Sequence, residues 1–385
     1  MSKKHLSITA LLLAMVLVIT CLGGCKKKEE EQATEITEKI NVVEDVSTPE
    51  SSAVEEESKE ESSKQEESSK PEEPKQELAA LDLYVNPLTG EKTDHEIANN
   101  RPVAFMINNI SVAVPQVGVG SADIIFEAIV EGGMTRMMGF YQEIPDDLVI
   151  GSIRSLRHSY IDFAAGYDAI IAHCGGSNLA FDALERRGYN DIEAISWAGG
   201  LFYRDSWREE NMGYEHSLMT TGSAINGFLQ NDAPYRITHE DDYRCNMVFS
   251  EDPQVSGGEV KTEVDVDFGT GKSMYFYYDA ETNDYVAEEY GMAYIDDGTG
   301  ERVHFKNIVA IRTDVWVCDE GGHQDMTLTG SGEGWFCVNG VYAPIIWSRT
   351  DEDAQFEYTY LDGTPVTFGI GPTYIGVIRS DGGVY

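Results

Sequence analysis

Basic residues are scarce: 28 Lys and Arg stand against 67 Asp and Glu, a formal net charge of −39 over 385 residues. That balance excludes a nucleic-acid binder, because a polyanion requires a net basic face. Cysteine is scarce as well, six in all, and Cys174, Cys245, Cys318 and Cys337 include no CxxC pair. The scattered His residues add no metal-ligand spacing, so a zinc site is not indicated. Outside the membrane a Cys318–Cys337 bridge is conceivable, since both residues fall in strand-like text. Neither a G-x-S-x-G elbow nor a Ser-x-x-Lys motif occurs, which leaves Ser155 and Ser177 without the setting of a nucleophile. Asp296-Asp297-Gly298-Thr299-Gly300 lacks the spaced ligands and closing Glu of an EF-hand loop and reads as a turn.

Long apolar runs are confined to the start of the chain. Lys3 and Lys4 precede the run Leu11 to Ile19, and Leu22-Gly23-Gly24-Cys25 follows. This is the layout of a secretory signal over residues 1–24, with an apolar stretch too short to span a bilayer. Leu-Gly-Gly-Cys resembles the bacterial lipoprotein box, which implies that Cys25 is acylated and becomes the mature N-terminus. The implied partner is the membrane, and the implied location is lipid-anchored and extracytoplasmic. From Lys26 to Ala80 there is no aromatic residue, and 8 Lys face 18 acids. Such text cannot bury enough apolar surface to offset its ordering entropy, so residues 25–80 read as a lipidated Cys followed by a disordered acidic tether.

What remains has 18 basic against 49 acidic residues, a net of −31. Its basic residues are 14 Arg and only 4 Lys, and seven of the Arg lie between Arg136 and Arg208. Arg is favoured over Lys where a planar fork must grip a carboxylate or phosphate. The cluster therefore points either to buried ion pairs or to an anion site.

Residues 84–245 read as an α/β (α+β) domain. Val103 to Ile107 is a continuous apolar run, the pattern of a strand buried on both faces. Asp123 to Ile129 and Met134 to Gln142 flank Glu131-Gly132-Gly133 as a β-hairpin. A turn on the two glycines places Glu127, Ile129 and Glu131 opposite Met138, Arg136 and Met134, so that two carboxylates and one Arg share a face. A helix is expected after Ser155, ending at Gly166, with Arg157 in its first turn. The helix dipole disfavours a cation there, so Arg157 calls for a negative partner, a carboxylate or a ligand oxyanion. Asp168 to Ala172 reads as a strand, then His173-Cys174-Gly175-Gly176-Ser177 opens a helix closed by Gly188, a strand–Gly-Gly–helix arrangement suited to an oxyanion. Tyr203-Arg204-Asp205-Ser206-Trp207-Arg208 brings charge and aromatics together, and helical spacing resumes over 217–229.

Residues 246–385 alternate short strands with Asp296-Asp297-Gly298, Asn339-Gly340 and Asp362-Gly363 turns, which predicts a mainly antiparallel β domain, a meander or small barrel. Phe276, Tyr277, Trp316, Trp335, Phe336, Tyr342 and Trp347 alternate as core residues do.

Arg101-Pro102-Val103-Ala104, Glu131-Gly132-Gly133 with Thr135-Arg136, Gly151-Ser152-Ile153-Arg154-Ser155 with Arg157, His173-Cys174-Gly175-Gly176-Ser177, Arg204-Asp205 with Arg208, and Gly330-Ser331-Gly332 with Trp347-Ser348 resemble the YerB-type lipoprotein family. The likeness runs in order from Asn86 onward and implies a two-part domain whose function is not known. Where that family's pattern has Ala in His-Ala-Gly-Gly-Ser, this chain has Cys174. More distantly, an Asp opening a hairpin, an Arg after the next strand and a later Arg-Asp-x-x-Arg are similar to the LytR-CpsA-Psr phosphotransferases. That likeness implies a divalent cation such as Mg on Asp123, with Arg154 and Arg157 on phosphate and Asp205 with Arg208 completing the site. The Arg-Ser-Asp-Thr of that group is absent here, since Gly120-Ser121-Ala122-Asp123 lacks its first Arg.

The candidate site residues are therefore Arg136, Arg154, Arg157, Arg208 and Ser177 for an anion, and Asp123, Glu127, Glu131 and Asp205 for catalysis, with no ligand set assigned to a metal. Three functions follow: binding of an anionic cell-wall or lipid-linked ligand, metal-assisted phosphoryl transfer or hydrolysis at the same place, or a protein-interaction module.

Overall fold

The computed structural model describes residues 84–196 and 200–385; the signal, Cys25 and the tether lie outside them. In chain order, leaving two-residue strands unnumbered, the first part contains α1 (His95–Asn99), β1 (Val103–Asn109), β2 (Ile124–Ile129), β3 (Thr135–Tyr141), β4 (Val149–Gly151), α2 (His158–Gly166), β5 (Ile170–His173), α3 (Asn178–Arg187), β6 (Asp191–Glu193), β7 (Phe202–Arg204), α4 (Ser206–Asn211), β8 (Leu218–Thr221) and α5 (Gly222–Asn231). The second part contains β9 (Glu263–Asp267), β10 (Ser273–Asp279), β11 (Asp284–Glu289), β12 (Asn307–Thr313), β13 (Val315–Val317), β14 (Gln324–Met326), β15 (Gly330–Val338), β16 (Val341–Arg349), β17 (Glu357–Tyr360) and β18 (Thr373–Arg379). The protein is mostly sheet with few helices, and its second part is rich in antiparallel strands, as the turn spacing predicts.

Every residue of β1, β2 and β3 is buried, because these strands lie inside one sheet covered on both faces. That sheet has 11 strands in the order β16–β15–β12–β18–β2–β3–β1–β5–β6, with Glu259–Val260 beyond β16 and β17 also paired to β16. The two parts thus share it. β18 pairs in parallel with β12 of its own part and with β2 of the first. Neither parallel pairing was foreseen among antiparallel hairpins, and among the described residues the strand orders are open rather than closed into a small barrel. On one face α2 and α3 bury Tyr160, Phe163, Ala180 and Leu184 against Phe126, Phe140 and Trp347. The other face carries Ile150, Leu218, Ile225 and Phe228 of the β4–β8–β7 sheet and α5, together with Val266, Met274, Phe276 and Tyr285 of the β9–β10–β11 sheet.

The helix termini follow the local text. Ser177 caps α3 by accepting from Ala180 N, and Gly188 closes it at φ 60°, the left-handed conformation glycine adopts without penalty. α2 starts at His158, so Arg157 occupies its N-cap in an extended conformation rather than its first turn.

Two expectations are corrected. The hairpin pairs Ile129 with Thr135 and Ala128 with Arg136, because its turn is a three-residue 3-10 segment with Gly132 and Gly133 at φ 69° and 75°. A one-residue change of register reverses faces. Glu127 therefore lies on the face opposite Arg136. The second correction concerns Cys318 and Cys337, which are both free: Cys337 is buried within β15 and Cys318 is exposed just beyond β13. The expected aromatic core divides likewise, with Phe276, Phe336 and Trp347 buried and Trp316 45% exposed.

Candidate functional site

Three of the expected arginines converge around Ser155. This residue lies on the Ile153–Arg157 stretch between β4 and α2, which the backbone threads against β1 through Arg154 N donating to Met106 O (2.9 Å). Arg136, on β3, is 7% exposed and donates from Nη1 to Ser155 O at 2.6 Å. Arg157 ion-pairs Glu131 through Nε, with Nη2 donating to Oε2 at 3.2 Å. The negative partner that its position called for is thus a protein carboxylate. Glu131 also meets His323 Nε2 of the second part at 3.3 Å. Arg136 forms no ion pair among the described residues. Burial, with the like charges of Arg157 and Arg154, lowers its guanidinium to about 10.

Beside this trio is a cleft of about 240 Å³ lined by Ile153, Arg154, Ser155, Cys174, Arg204, Tyr214 and Glu215. Arg154 donates from Nη1 to Glu215 O (2.7 Å) and from Nη2 to Glu215 Oε2 (3.2 Å). Arg204 sits over the ring of Tyr214 at 3.8 Å and donates to Tyr214 O at 2.6 Å. Such a face-on approach is a cation–π contact. Cys174 lies in the same cleft, and burial pushes its thiol up against the pull of Arg204 and Arg154. Of these, Arg204, Tyr214 and Glu215 were absent from the expected site. The signal available for Arg204 was its place in the Arg204-Asp205 pair.

The remaining candidates stand elsewhere. Gly175 N, part of the expected oxyanion loop, donates to Glu193 Oε1 (2.9 Å), and Ser177 N to Leu156 O (3.1 Å). These donors of the loop are thus taken by an internal carboxylate and a backbone carbonyl, and the Ser177 hydroxyl by the helix. His173 is buried between Gly175 O and Asp191. Asp205 caps α4 by accepting from Arg208 N (2.8 Å). Arg208, itself buried, extends to Pro115 O (2.6 Å) and Asp297 Oδ2 (2.7 Å). Glu127 is fully buried and accepts from Asn109, Thr135 and Tyr374.

Asp123 precedes β2 and accepts from Gln142 N (2.6 Å) and Asn86 Nδ2 (2.7 Å), and burial pushes it up to about 7. It stands at the opposite end of the hairpin from Arg136, which pairs with Ala128. Five residues of strand separate the two ends, roughly 17 Å. Asp123, on which the phosphotransferase likeness puts the cation, therefore stands apart from the arginines. Among the described residues no group of three or more His, Cys, Asp or Glu is placed to hold a metal. These residues do not fit the cation that the phosphotransferase likeness implies.

A larger cavity, about 280 Å³, is lined by Glu240, Asp241, Arg244 and His239 among others. Two carboxylates against one arginine give it no positive character. The electrostatic case for a site rests on the Arg154–Arg204 cleft.

Profiles of a family described as protein of unknown function (DUF3048) match the chain twice, the N-terminal domain over residues 88–235 and the C-terminal domain over residues 264–375. A Bacillus subtilis (strain 168) protein named "Putative lipoprotein YerB" is 27% identical over 296 residues, which cover 76% of this chain and 85% of that one. The crystal structure of the YerB protein from Bacillus subtilis matches with a TM-score of 0.69 at 26% identity, covering 78% of this chain and 99% of the solved one.

Proposed function

The chain belongs to the DUF3048 family, and on that premise we propose that it is an extracytoplasmic lipoprotein, anchored through Cys25, whose Arg154–Arg204 cleft binds an anionic ligand of the cell envelope. One observation carries the reading: in a body of net charge −31, Arg136 and Arg157 both reach the Ser155 carbonyl, the charge of Arg154 also acts on Arg136, and Arg136 has no ion-pair partner among the described residues. Crowded like charges in a partly dry site favour an anion, whose binding relieves their mutual repulsion. Arg154 and Arg204 reach the cleft itself, and both carry the planar fork suited to phosphate or carboxylate. No helix among the described residues is long and apolar enough to cross a membrane.

The test is a thermal-shift titration with phosphate, pyrophosphate and phosphodiester-bearing wall fragments on wild type, Arg154→Ala and Arg204→Ala. A ligand that binds only the folded state raises its stability with concentration. Stabilisation of the wild type that both variants lose is the expected result. Equal shifts in all three proteins would place the anion elsewhere. No shift in the wild type would return the arginines to a structural role and favour a protein partner, for which Tyr214 and Ile195, 62% and 69% exposed, supply apolar surface.

A further inference from the structure

Between the central sheet and the β9–β10–β11 sheet lies a group of charges that the cleft does not use. Glu127 of β2, Glu289 of β11 and Lys272, just before β10, are 0%, 3% and 8% exposed. Lys272 ion-pairs Glu289 and stands 3.7 Å from Glu127 Oε1. The ring of Tyr290 lies 4.4 Å from its Nζ. Tyr374 of β18, Thr135 of β3 and Asn109 of β1 all donate to Glu127; none of the three carries a charge. Glu289 Oε2 is buried and meets no hydrogen-bond donor in bonding geometry. Two buried carboxylates thus face one ammonium, and the surplus negative charge is removed if a proton is bound.

The group is connected to the cleft. Asn109 Nδ2 donates to Glu127 at 2.9 Å, and its Oδ1 accepts from Gln116 Nε2 at 2.8 Å. Gln116 Nε2 also reaches Asn108 O at 2.9 Å, and the Asn108 amide bonds His216 Nδ1 at 2.7 Å. His216 adjoins Glu215, which holds Arg154. We propose that Glu289, Glu127 and Lys272 form a buried proton-binding site whose occupancy tunes anion binding at the Arg154–Arg204 cleft through the chain Asn109–Gln116–Asn108–His216.

The proposal rests on the anion reading of the cleft. Burial, reinforced by Glu127 and opposed by Lys272, pushes Glu289 up to about 7, so the proton is exchanged at neutral pH. Taking it up removes a negative charge from the interior, which favours an anion nearby. By linkage, a bound anion strengthens proton binding by the same factor.

Sulfate is the probe, because its charge is constant through this range. Its affinity is measured on wild type, Glu289→Gln and Asn108→Ala at about pH 6.5 and about pH 8.5; His216 is depressed by burial and by Arg154, and the share of its imidazole in the pH dependence is retained in Glu289→Gln. Wild type should bind about fivefold or more tightly at the lower pH. Glu289→Gln, which mimics the protonated carboxyl, should bind tightly at both. Asn108→Ala should keep the wild-type dependence of Tm on pH but lose that of sulfate affinity, a separation that a purely structural role for Asn108 would not produce. The same pH ratio in all three proteins overturns the coupling while leaving the anion site intact. Absence of sulfate binding in every protein at both pH values overturns the anion reading, and the coupling with it.

Discussion

Arg208 Nη2 donates to Asp297 Oδ2 at 2.7 Å, joining a helix of the first part to the Asp-Asp-Gly turn of the second. The neighbouring Asp296 reinforces the joint by accepting from Gly118 N and Gly120 N. The two arms differ in exposure, 3% for the Arg208 side chain and 47% for Asp297. Truncating the arginine therefore leaves a solvated carboxylate rather than a stranded buried charge, and the main loss is the bond to Pro115 O together with packing. Arg208→Ala should cost about 2 kcal/mol in urea unfolding and leave sulfate affinity unchanged. A loss of sulfate binding in the folded variant would restore Arg208 to the anion site.

Glu131 offers a test with the opposite sign from the arginine substitutions. Its carboxylate neutralises Arg157 and is itself held below the usual range by that pairing, despite the opposing effect of burial. In Glu131→Gln the trio of arginines loses its nearest internal counter-charge. Stability should fall by about 1–2 kcal/mol, since the charge-assisted fork is reduced to a neutral hydrogen bond. Anion affinity should rise. Unchanged or weaker binding in calorimetric titration would show that Glu131 orients Arg157 for the ligand rather than competing with it.

Much of this architecture is legible locally and little of it globally. Ser177 and Gly188 announce both ends of α3 because caps are decided by neighbouring backbone, and the strands near Asn339-Gly340 and Asp362-Gly363 follow from turn chemistry. The pairing of β18 with β2 joins residues about 250 positions apart and leaves no periodic trace in either strand. The Glu127–Arg136 face was misassigned because a turn of one residue more or less cannot be told from Glu-Gly-Gly alone. Arg136, Arg154 and Arg157 were legible as a cluster by composition. Their separation from Asp123 was not, since it depends on which end of a hairpin each residue occupies.

Asp123 carries a pH prediction. Burial pushes its carboxyl up to about 7, whereas in the unfolded chain it titrates near about 4. The native state therefore binds the proton more tightly. The stability this contributes is fully present below the unfolded value and is lost as pH rises through about 7. In Asp123→Asn that loss disappears, so the Tm of the variant should gain on wild type steadily from about pH 4 to about pH 7 and run parallel above it. Parallel curves over the whole range would mean that the carboxyl is solvated and ordinary.

The cysteines can be separated by reactivity. Cys318 is exposed, whereas Cys337 is buried and burial pushes its thiol up to about 12. Since the thiolate is the reactive form, alkylation of the folded protein followed by peptide mass spectrometry should modify Cys318 fully and Cys337 only after unfolding. A Cys318–Cys337 cross-linked peptide under non-reducing conditions would contradict the two positions.

Cys174 stands where the resembled family has alanine, yet it lines the cleft beside Arg154 and Arg204. Two roles are separable. If the thiol were a nucleophile, the flanking guanidinium groups would have to hold it as thiolate; instead burial outweighs them and keeps it protonated. A protonated thiol at this place is a small, weakly polar filler between β5 and the Gly175-Gly176 turn. Cys174→Ala should therefore leave sulfate affinity within about twofold and stability within about 1 kcal/mol, since the substitution removes one half-buried sulfur and no hydrogen-bonded partner. Cys174→Asp gives the converse: a carboxylate between the two arginines should pair with them, raise Tm and abolish sulfate binding by occupying the site. Retained sulfate affinity in Cys174→Asp would show that the two guanidinium groups do not act on a common anion.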